Sequence, residues 1–445
     1  MTMLKHRLSQ CCQTIKFSPF HADMVAVGTS QNFGFVGSGR LEILQFPSCN
    51  RTAKPRVGSD IRNIHLPLQS PATFGATPVV NAREDVQNEK VRRVFSGSTD
   101  DSIIDCCWSE NVDSIVATAM GNGCILLFSL NEPASTACAS GTELVGVAPF
   151  TQLSGHLQEV ASLDWNMHHT NLLLSGSWDR TLRLWDIPRT ACIGVFNGVH
   201  NSPINAVAFS PFQQSLFASV GADGKLCLHD LRVNEHFSQS LNSHGASNML
   251  KPDMQGKILG YLQHDTLSRA TFATERQHGS KNNTYSISSF PSSATSCCIQ
   301  SRQAHSHDIL CLDWNKYNSS QLVTGGSEGS IKIWDLRLFS SAHVSPSKPL
   351  LDIAAHKLAV RRVKYSPFCG NIFASCSYDM SVKIWDANFP VQNTKPSTTS
   401  LPCASLVRYY THHREFVLGL DWNLFEENLI CSASWDRNMF LWTTG

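Results

Sequence analysis

The chain has 445 residues, 42% of them apolar and 16% charged, with a formal net charge of +1. That size and apolar fraction allow a substantial core, and the charge balance excludes the strongly basic footprint of a nucleic-acid-binding domain, whose pI usually exceeds about 9. The sixteen cysteines contain no C-x-x-C pair, which argues against a structural zinc site, and no apolar run approaches the ~20 residues of a membrane span.

Taken from the front, MTMLKHRLSQCC lacks the apolar stretch of a secretion signal, so a soluble intracellular protein with reduced, buried cysteines is expected. Residues 13–46 then carry IKFSPF, MVAVGTS and LEILQF, which read as three short strands. A weaker copy of the same plan runs from Thr99 through Trp108 and Asn122 to Phe128. From His156 the plan becomes regular. An aromatic residue follows the histidine by nine positions, an acid by twenty-three, and a second aromatic or histidine by twenty-nine. His156 thus leads to Trp165, Asp179 and Trp185; His200 to Phe209, Asp223 and His229; His305 to Trp314, Glu328 and Trp334. His356 leads to Tyr365, Asp379 and Trp385, and His413 to Trp422, Asp436 and Trp442. A hydroxyl stands four residues before the acid slot in six copies: Thr118, Ser175, Ser219, Thr324, Ser375 and Ser432.

Each copy supplies three strands and leads through a fourth into the next histidine, which is one blade of a propeller. The blades fall at about 13–46, 99–130, 156–188, 200–232, 305–338, 356–387 and 413–442. The last lacks a strand after Trp442, and the only candidate to supply it lies around Leu4–Gln10, so the two chain ends should pair and remove an open edge. Residues 47–95 and 231–303, rich in Ser, Asn, Gln and His, read as flexible insertions, with shorter ones at 131–150, 339–351 and 387–409.

This spacing resembles the WD-repeat family, and the resemblance implies an all-β, seven-bladed β-propeller with long loop insertions. The family's structural tetrad falls on His156, Ser175, Asp179 and Trp185, and again on His356, Ser375, Asp379 and Trp385. A tetrad satisfies buried polar groups that would otherwise cost ~1–3 kcal/mol each. It also accounts for the histidines without metal or catalysis. GADGK at Gly221–Lys225 lacks the hydroxyl of a phosphate loop, and no G-x-S-x-G elbow occurs. No catalytic residue, metal or cofactor is therefore expected, and the chain reads as a binding platform.

Propellers usually bind where the loops between strands d and a and between strands b and c emerge. The positions just after the histidine slot hold Asp101, Glu159, Asp308 and Glu415, and those just before the turn acid hold Trp178, Tyr378 and Trp435. Any one of these acids could simply be solvated and any one aromatic could pack at a rim. Together they suit an amphipathic helix that is basic on one side and apolar on the other.

Longer strings carry a narrower resemblance. HLQEVASLDW (156–165), SGSWDRTLRLWD (175–186), CLDWNKYNSSQLVTGG (311–326), VRRVKYSPFCGNIFASCSYDMSVKIWD (360–386) and HHREFVLGLDW (412–422) look like the receptors for type-2 peroxisomal targeting signals. IKFSPF and GSGRLEIL (37–44) fit the irregular first blade of those receptors, while the insertion 231–303 departs from them. The resemblance implies binding of an N-terminal R/K-L-x5-H/Q-L helix of cargo proteins in the cytosol, a co-receptor that completes the site, and delivery to docking machinery at the peroxisomal membrane, with shuttling between cytoplasm and organelle. Asp101 and Glu159 match acidic positions of that receptor family. A WD-repeat scaffold or histone-binding chaperone is the alternative, since LDWNKYN occurs there too. Those chaperones carry a long N-terminal helix, for which this chain, entering blade one by residue 13, leaves no room.

Overall fold

The computed structural model describes residues 3–34, 37–47, 91–131, 147–233, 297–339, 348–388 and 403–443. Runs of Val, Ile, Leu and aromatic residues, broken by Asp, Asn, Ser and Gly turns, form seven four-stranded antiparallel sheets. β1 (Met3–Arg7) comes first. β2 (Cys11–Phe17), β3 (Met24–Ser30), β4 (Gly39–Gln45) and β5 (Arg92–Thr99) make blade one, and β6 (Ile103–Trp108), β7 (Ile115–Met120), β8 (Ile125–Ser129) and β9 (Thr151–Leu153) make blade two. Blade three is β10 (Val160–Trp165), β11 (Leu172–Ser177), β12 (Leu182–Asp186) and β13 (Ala191–Phe196). Blade four is β14 (Ile204–Phe209), β15 (Leu216–Gly221), β16 (Lys225–Asp230) and β17 (Cys298–Gln303). Blade five is β18 (Ile309–Trp314), β19 (Gln321–Gly326), β20 (Ser330–Asp335) and β21 (Leu351–Ala354). Blade six is β22 (Val360–Tyr365), β23 (Ile372–Ser377), β24 (Val382–Asn388) and β25 (Cys403–Tyr410). Blade seven is β26 (Val417–Trp422), β27 (Leu429–Ser434) and β28 (Asn438–Thr443), and β1 is its outer strand.

The closing strand sets Met3 opposite Trp442 and Arg7 opposite Asn438, and the Leu8 amide donates to the Arg437 carbonyl at 2.7 Å. The strand expected around Leu4–Gln10 is therefore Met3–Arg7. The expected insertions are shorter than read from the sequence. Arg92–Phe95 belong to β5, Cys298–Gln303 are β17, and Leu231–Val233 form a short 3-10 turn. β25 likewise takes in Cys403–Tyr410 and β24 runs on to Asn388. The reason is that an outer strand buries only one face. CIQSRQ alternates partly buried and exposed residues and looks polar. Most of the expected insertions, including 48–90 and 234–296, lie outside the described residues.

Apolar packing falls into seven separate clusters, one between each pair of adjacent blades. Polar chains complete blades three to seven. In blade three the Trp185 indole donates to Ser175 Oγ at 2.9 Å, Ser175 lies 2.7 Å from His156 Nε2, and His156 Nδ1 lies 2.9 Å from Asp179 Oδ2. An indole can only donate, so the serine hydroxyl donates to Nε2 and the imidazole is left to donate from Nδ1 to the carboxylate. Blade six repeats this with Trp385, Ser375, His356 and Asp379 at 2.9, 2.8 and 3.0 Å. Blades five and seven do so as well, with Glu328 as the acid in blade five. In blade four His229 occupies the tryptophan slot, 2.8 Å from Ser219.

The middle of the ring is held by charge. Asp105 on β6 accepts from Arg362 Nη2 of β22 at 2.7 Å, from Thr14 Oγ1 of β2 at 2.8 Å and from the Leu163 amide of β10 at 3.2 Å, linking blades two, six, one and three. Burial alone would raise this carboxyl, but the Arg362 guanidinium, Lys16 and these hydrogen bonds hold it at about 2. Asp164, Asp313 and Asp421 accept the amides of Phe209, Tyr365 and Phe17 in the following blade at 2.6, 2.8 and 2.9 Å.

Three measurements check this frame. Asp379→Ala leaves His356 Nδ1 and the Lys357 amide without their acceptor and should cost ~1–3 kcal/mol, seen as a lower Tm; an unchanged Tm would refute the tetrad role. Burial pushes His156, His305 and His356 below their ordinary 6.5, and His229 to about 3. Their unfolded forms therefore take up protons first, so this stability is complete above pH 6.5 and drains away as the pH falls below it. Asp179 and Asp379, also lowered, add a further loss only below their ordinary 3.8. Burial raises the Glu110 carboxyl to about 7, which works in the opposite direction over the same range, so in a Glu110→Gln variant Tm should be level from pH 7 to 8 and fall from about pH 6.5 to 4.5; a level Tm of that variant to pH 5 contradicts the neutral histidines. Finally, Asp105→Asn strands the buried Arg362 charge and should cost about 3–5 kcal/mol, whereas Asp105→Leu with Arg362→Met should recover most of it. A single variant no worse than the double would show that the pair does not bridge the channel.

Candidate functional site

The candidate face is built by the loops entering strand a and by the turns between strands b and c. Those turns are tight, and the residue after the acid slot takes the left-handed conformation, as in Arg180 (φ 70°), Met380 (φ 64°) and Arg437 (φ 63°). In blades three, four, six and seven the turn acid is fixed from below by its histidine and also accepts the amide that opens the facing loop, as Asp179 does from Leu157 and Asp436 from Arg414. Loop and turn are therefore held against each other, and the residue just before the acid is presented at the face.

Backbone pairing shows which positions correspond between blades. The amide before the turn acid donates to the carbonyl of Ser102, Glu159, Pro203, Asp308, Ala359 or Phe416, each six residues before the aromatic of its strand a. Glu159 and Asp308 thus share one slot. Asp101 and Glu415 stand one residue earlier, level with Gln158, whose carbonyl accepts from Ser177 Oγ as that of Glu415 accepts from Ser434 Oγ. The slot matching Glu159 in blade seven holds Phe416, three residues after His413 as Glu159 is three after His156, whereas the expected acid Glu415 lies one place earlier. Counting back six from Trp422 would have found it.

Asp101 is partly buried, and its Oδ1 accepts the Ser102 amide at 2.6 Å. It sits over Gly121, where an added Cβ would come within 3.3 Å of both carboxylate oxygens, so glycine makes room for the acid. Glu159, on the next blade, is partly buried, while Asp308 and Glu415 are exposed. Among the aromatics, Trp178 is 40% exposed and faces solvent. Tyr378 and Trp435 are instead partly covered, stacked or tilted on the missed Phe416 with ring centroids 4.7 and 5.2 Å away. The seven expected residues are thus arranged as neighbouring acids on blades two and three, a joined aromatic wall on blades six and seven, an exposed Trp178 beside Glu159, and outlying Asp308 and Glu415. Among the described residues no group of three His, Cys, Asp or Glu side chains could hold a metal ion, and no helix is long and apolar enough to cross a membrane.

The model for the WD domain, G-beta repeat, matches residues 148–186, 190–230, 296–335, 347–386 and 404–443. Each match starts near the outer strand of one blade and ends with the third strand of the next. Blade one and the first three strands of blade two fall outside it, yet relatives align across them. The peroxisomal targeting signal 2 receptor of Saccharomyces cerevisiae is 24% identical over 469 residues, 96% of each chain. Its namesake in Schizosaccharomyces pombe is 22% identical over 433 residues, 97% of this chain and 96% of the relative. The mouse receptor of the same name is 26% identical over 426 residues, 95% of this chain and 91% of the relative. The chain is thus a seven-bladed β-propeller that carries WD40 repeats in five matched stretches and is similar over nearly its whole length to peroxisomal targeting signal 2 receptors.

Proposed function

We propose that this chain is a peroxisomal import receptor that captures the N-terminal R/K-L-x5-H/Q-L helix of cargo proteins in the cytosol and, with a co-receptor, carries them to the docking machinery of the peroxisomal membrane. The observation that carries the reading is a pair of acids, Asp101 and Glu159, on adjacent blades of the face that also bears exposed Trp178. The first and eighth residues of such a signal are seven apart, and seven helical steps of ~100° bring them back to nearly the same side. Arg and His then share one stripe with leucines beside it. The acids suit the Arg, and Trp178 together with the Tyr378–Phe416–Trp435 wall suits the leucines. The role is one of binding and release, and the cargo and docking steps are read from what the relatives are named for.

The test is titration of a labelled signal peptide, with co-receptor present, against single variants. A partly desolvated charge-assisted hydrogen bond from Glu159 to the signal's Arg contributes ~1.5–3 kcal/mol. Glu159→Lys replaces it with repulsion, so affinity should fall by about two orders of magnitude. Trp178→Ala should weaken binding with little change in salt dependence, and reversal of Asp308 or Glu415 should matter less. If Glu159→Lys binds like the wild type while circular dichroism shows a folded propeller, the cargo face lies elsewhere.

A further inference from the structure

Strand a of every blade opens with a register irregularity that leaves one residue outside the ladder. These seven residues stand at one level around the central channel, on its candidate-face side. Six are uncharged: Gln13, Ile104, Ala161, Asn205, Leu310 and Leu418. The seventh is Arg361. Its neighbour Arg362 is engaged by Asp105 at 2.7 Å, and Asp105 is further committed to Thr14 and Leu163. No ion pair or hydrogen bond to the Arg361 guanidinium is found among the described residues. Burial and the Arg362 charge weigh against its cation, and the nearby Tyr378, Asp105 and Cys311 only partly offset them. A partly buried guanidinium is costly without an anion, and this one lies at the channel mouth.

The site is also placed with respect to the acids. Arg362 reaches Asp105 across the channel, so blades six and two face each other. Asp100, Asp101 and Glu159 lie on the side of blades two and three, while Arg361, exposed Lys357 and exposed Arg414 lie on the side of blades six and seven, where Glu415 is the one opposing charge among these positions. A nine-residue helix is roughly 13 Å long and carries partial positive charge at its N-terminus and partial negative charge at its C-terminus. Laid over the mouth with its first Arg on Asp101 and Glu159, it brings its last turn toward Arg361.

We propose that Arg361 is the binding site for a carboxylate on an Asp or Glu in, or just after, the last turn of the bound targeting helix, and that it thereby fixes the direction in which the helix lies. This rests on the cargo-helix reading above. The test uses pairs of R-L-x5-H-L peptides carrying Glu or Gln at each of three successive positions after the final leucine, titrated with co-receptor present. At one position the wild type should prefer Glu by about tenfold. Arg361→Gln should bring that ratio close to one, and Arg361→Lys should retain part of it, with thermal melting to show that each variant is folded. The same exchange placed before the first Arg should give no Arg361-dependent preference; a preference there would mean that the helix lies the other way and would overturn the proposal. Peptides that bind with no Glu preference at any position, or with one that survives Arg361→Gln, also overturn it while sparing the cargo reading. Failure of every peptide to bind removes both.

Discussion

The Phe17 amide donates to Asp421 at 2.9 Å, joining the first blade of the ring to the last. A propeller has no common core. Its apolar clusters lie between neighbouring blades, so every blade depends on both sides being covered. The exposed edge of each strand a carries amides that cannot be left unpaired. The carboxylates of Asp164, Asp313 and Asp421 take such amides from the next blade, and Ser162 takes that of Val207. The indoles of Trp108, Trp314 and Trp422 return the link by donating to a carbonyl of the preceding blade. Closure is thus polar at the channel and apolar between the sheets, and the Asp105–Arg362 pair ties opposite sides together.

A ring closed this way gives the candidate face its rigidity. The turn acids of blades three, four, six and seven are each fixed by a histidine and by the amide of the facing loop, so their neighbours are set by the blade rather than by the loop. A helix bound there as proposed would lose less affinity to ordering of the propeller. Tyr378 on blade six and Trp435 on blade seven are joined through Phe416, which means the aromatic wall spans an interblade seam. Trp178 has no such support, and its 40% exposure leaves its area to be covered by a ligand.

The repeat was legible because its residues serve the blade in which they occur. Spacing alone fixes His156, Ser175, Asp179 and Trp185, since each contacts the next within one blade. The outer strands were less legible. β17 alternates partly buried and exposed residues and looks polar, and β25 leaves Ser405–Tyr409 exposed, so neither shows the apolar run of an inner strand. The slot holding Phe416 lies three residues after His413, as Glu159 lies three after His156, but the acid Glu415 one place earlier draws the eye in a search for charge. The channel pair was invisible for a different reason. Asp105 and Arg362 are 257 residues apart, and no local pattern reports a contact that exists only once the ring is closed.

Blade four shows how far the polar chain can be altered and still be satisfied. Ser219 lies 2.8 Å from both His200 Nε2 and His229 Nε2, but a hydroxyl has one proton to donate. With His200 Nδ1 given to Asp223 at 3.0 Å, Ser219 donates to His200, so His229 must donate its own Nε2 proton to Ser219. His229 thereby imitates the indole of the other blades. Its Nδ1 is left as an acceptor, 3.6 Å from the thiol of Cys297 at the start of the outer strand. The ring also stacks on Phe217 at 4.5 Å, taking over the apolar part of the indole's role. Full burial drives its pKa to about 3, which keeps it neutral and preserves this pattern of donors. The substitution therefore conserves the proton arrangement, which is what the blade requires, and not the residue type.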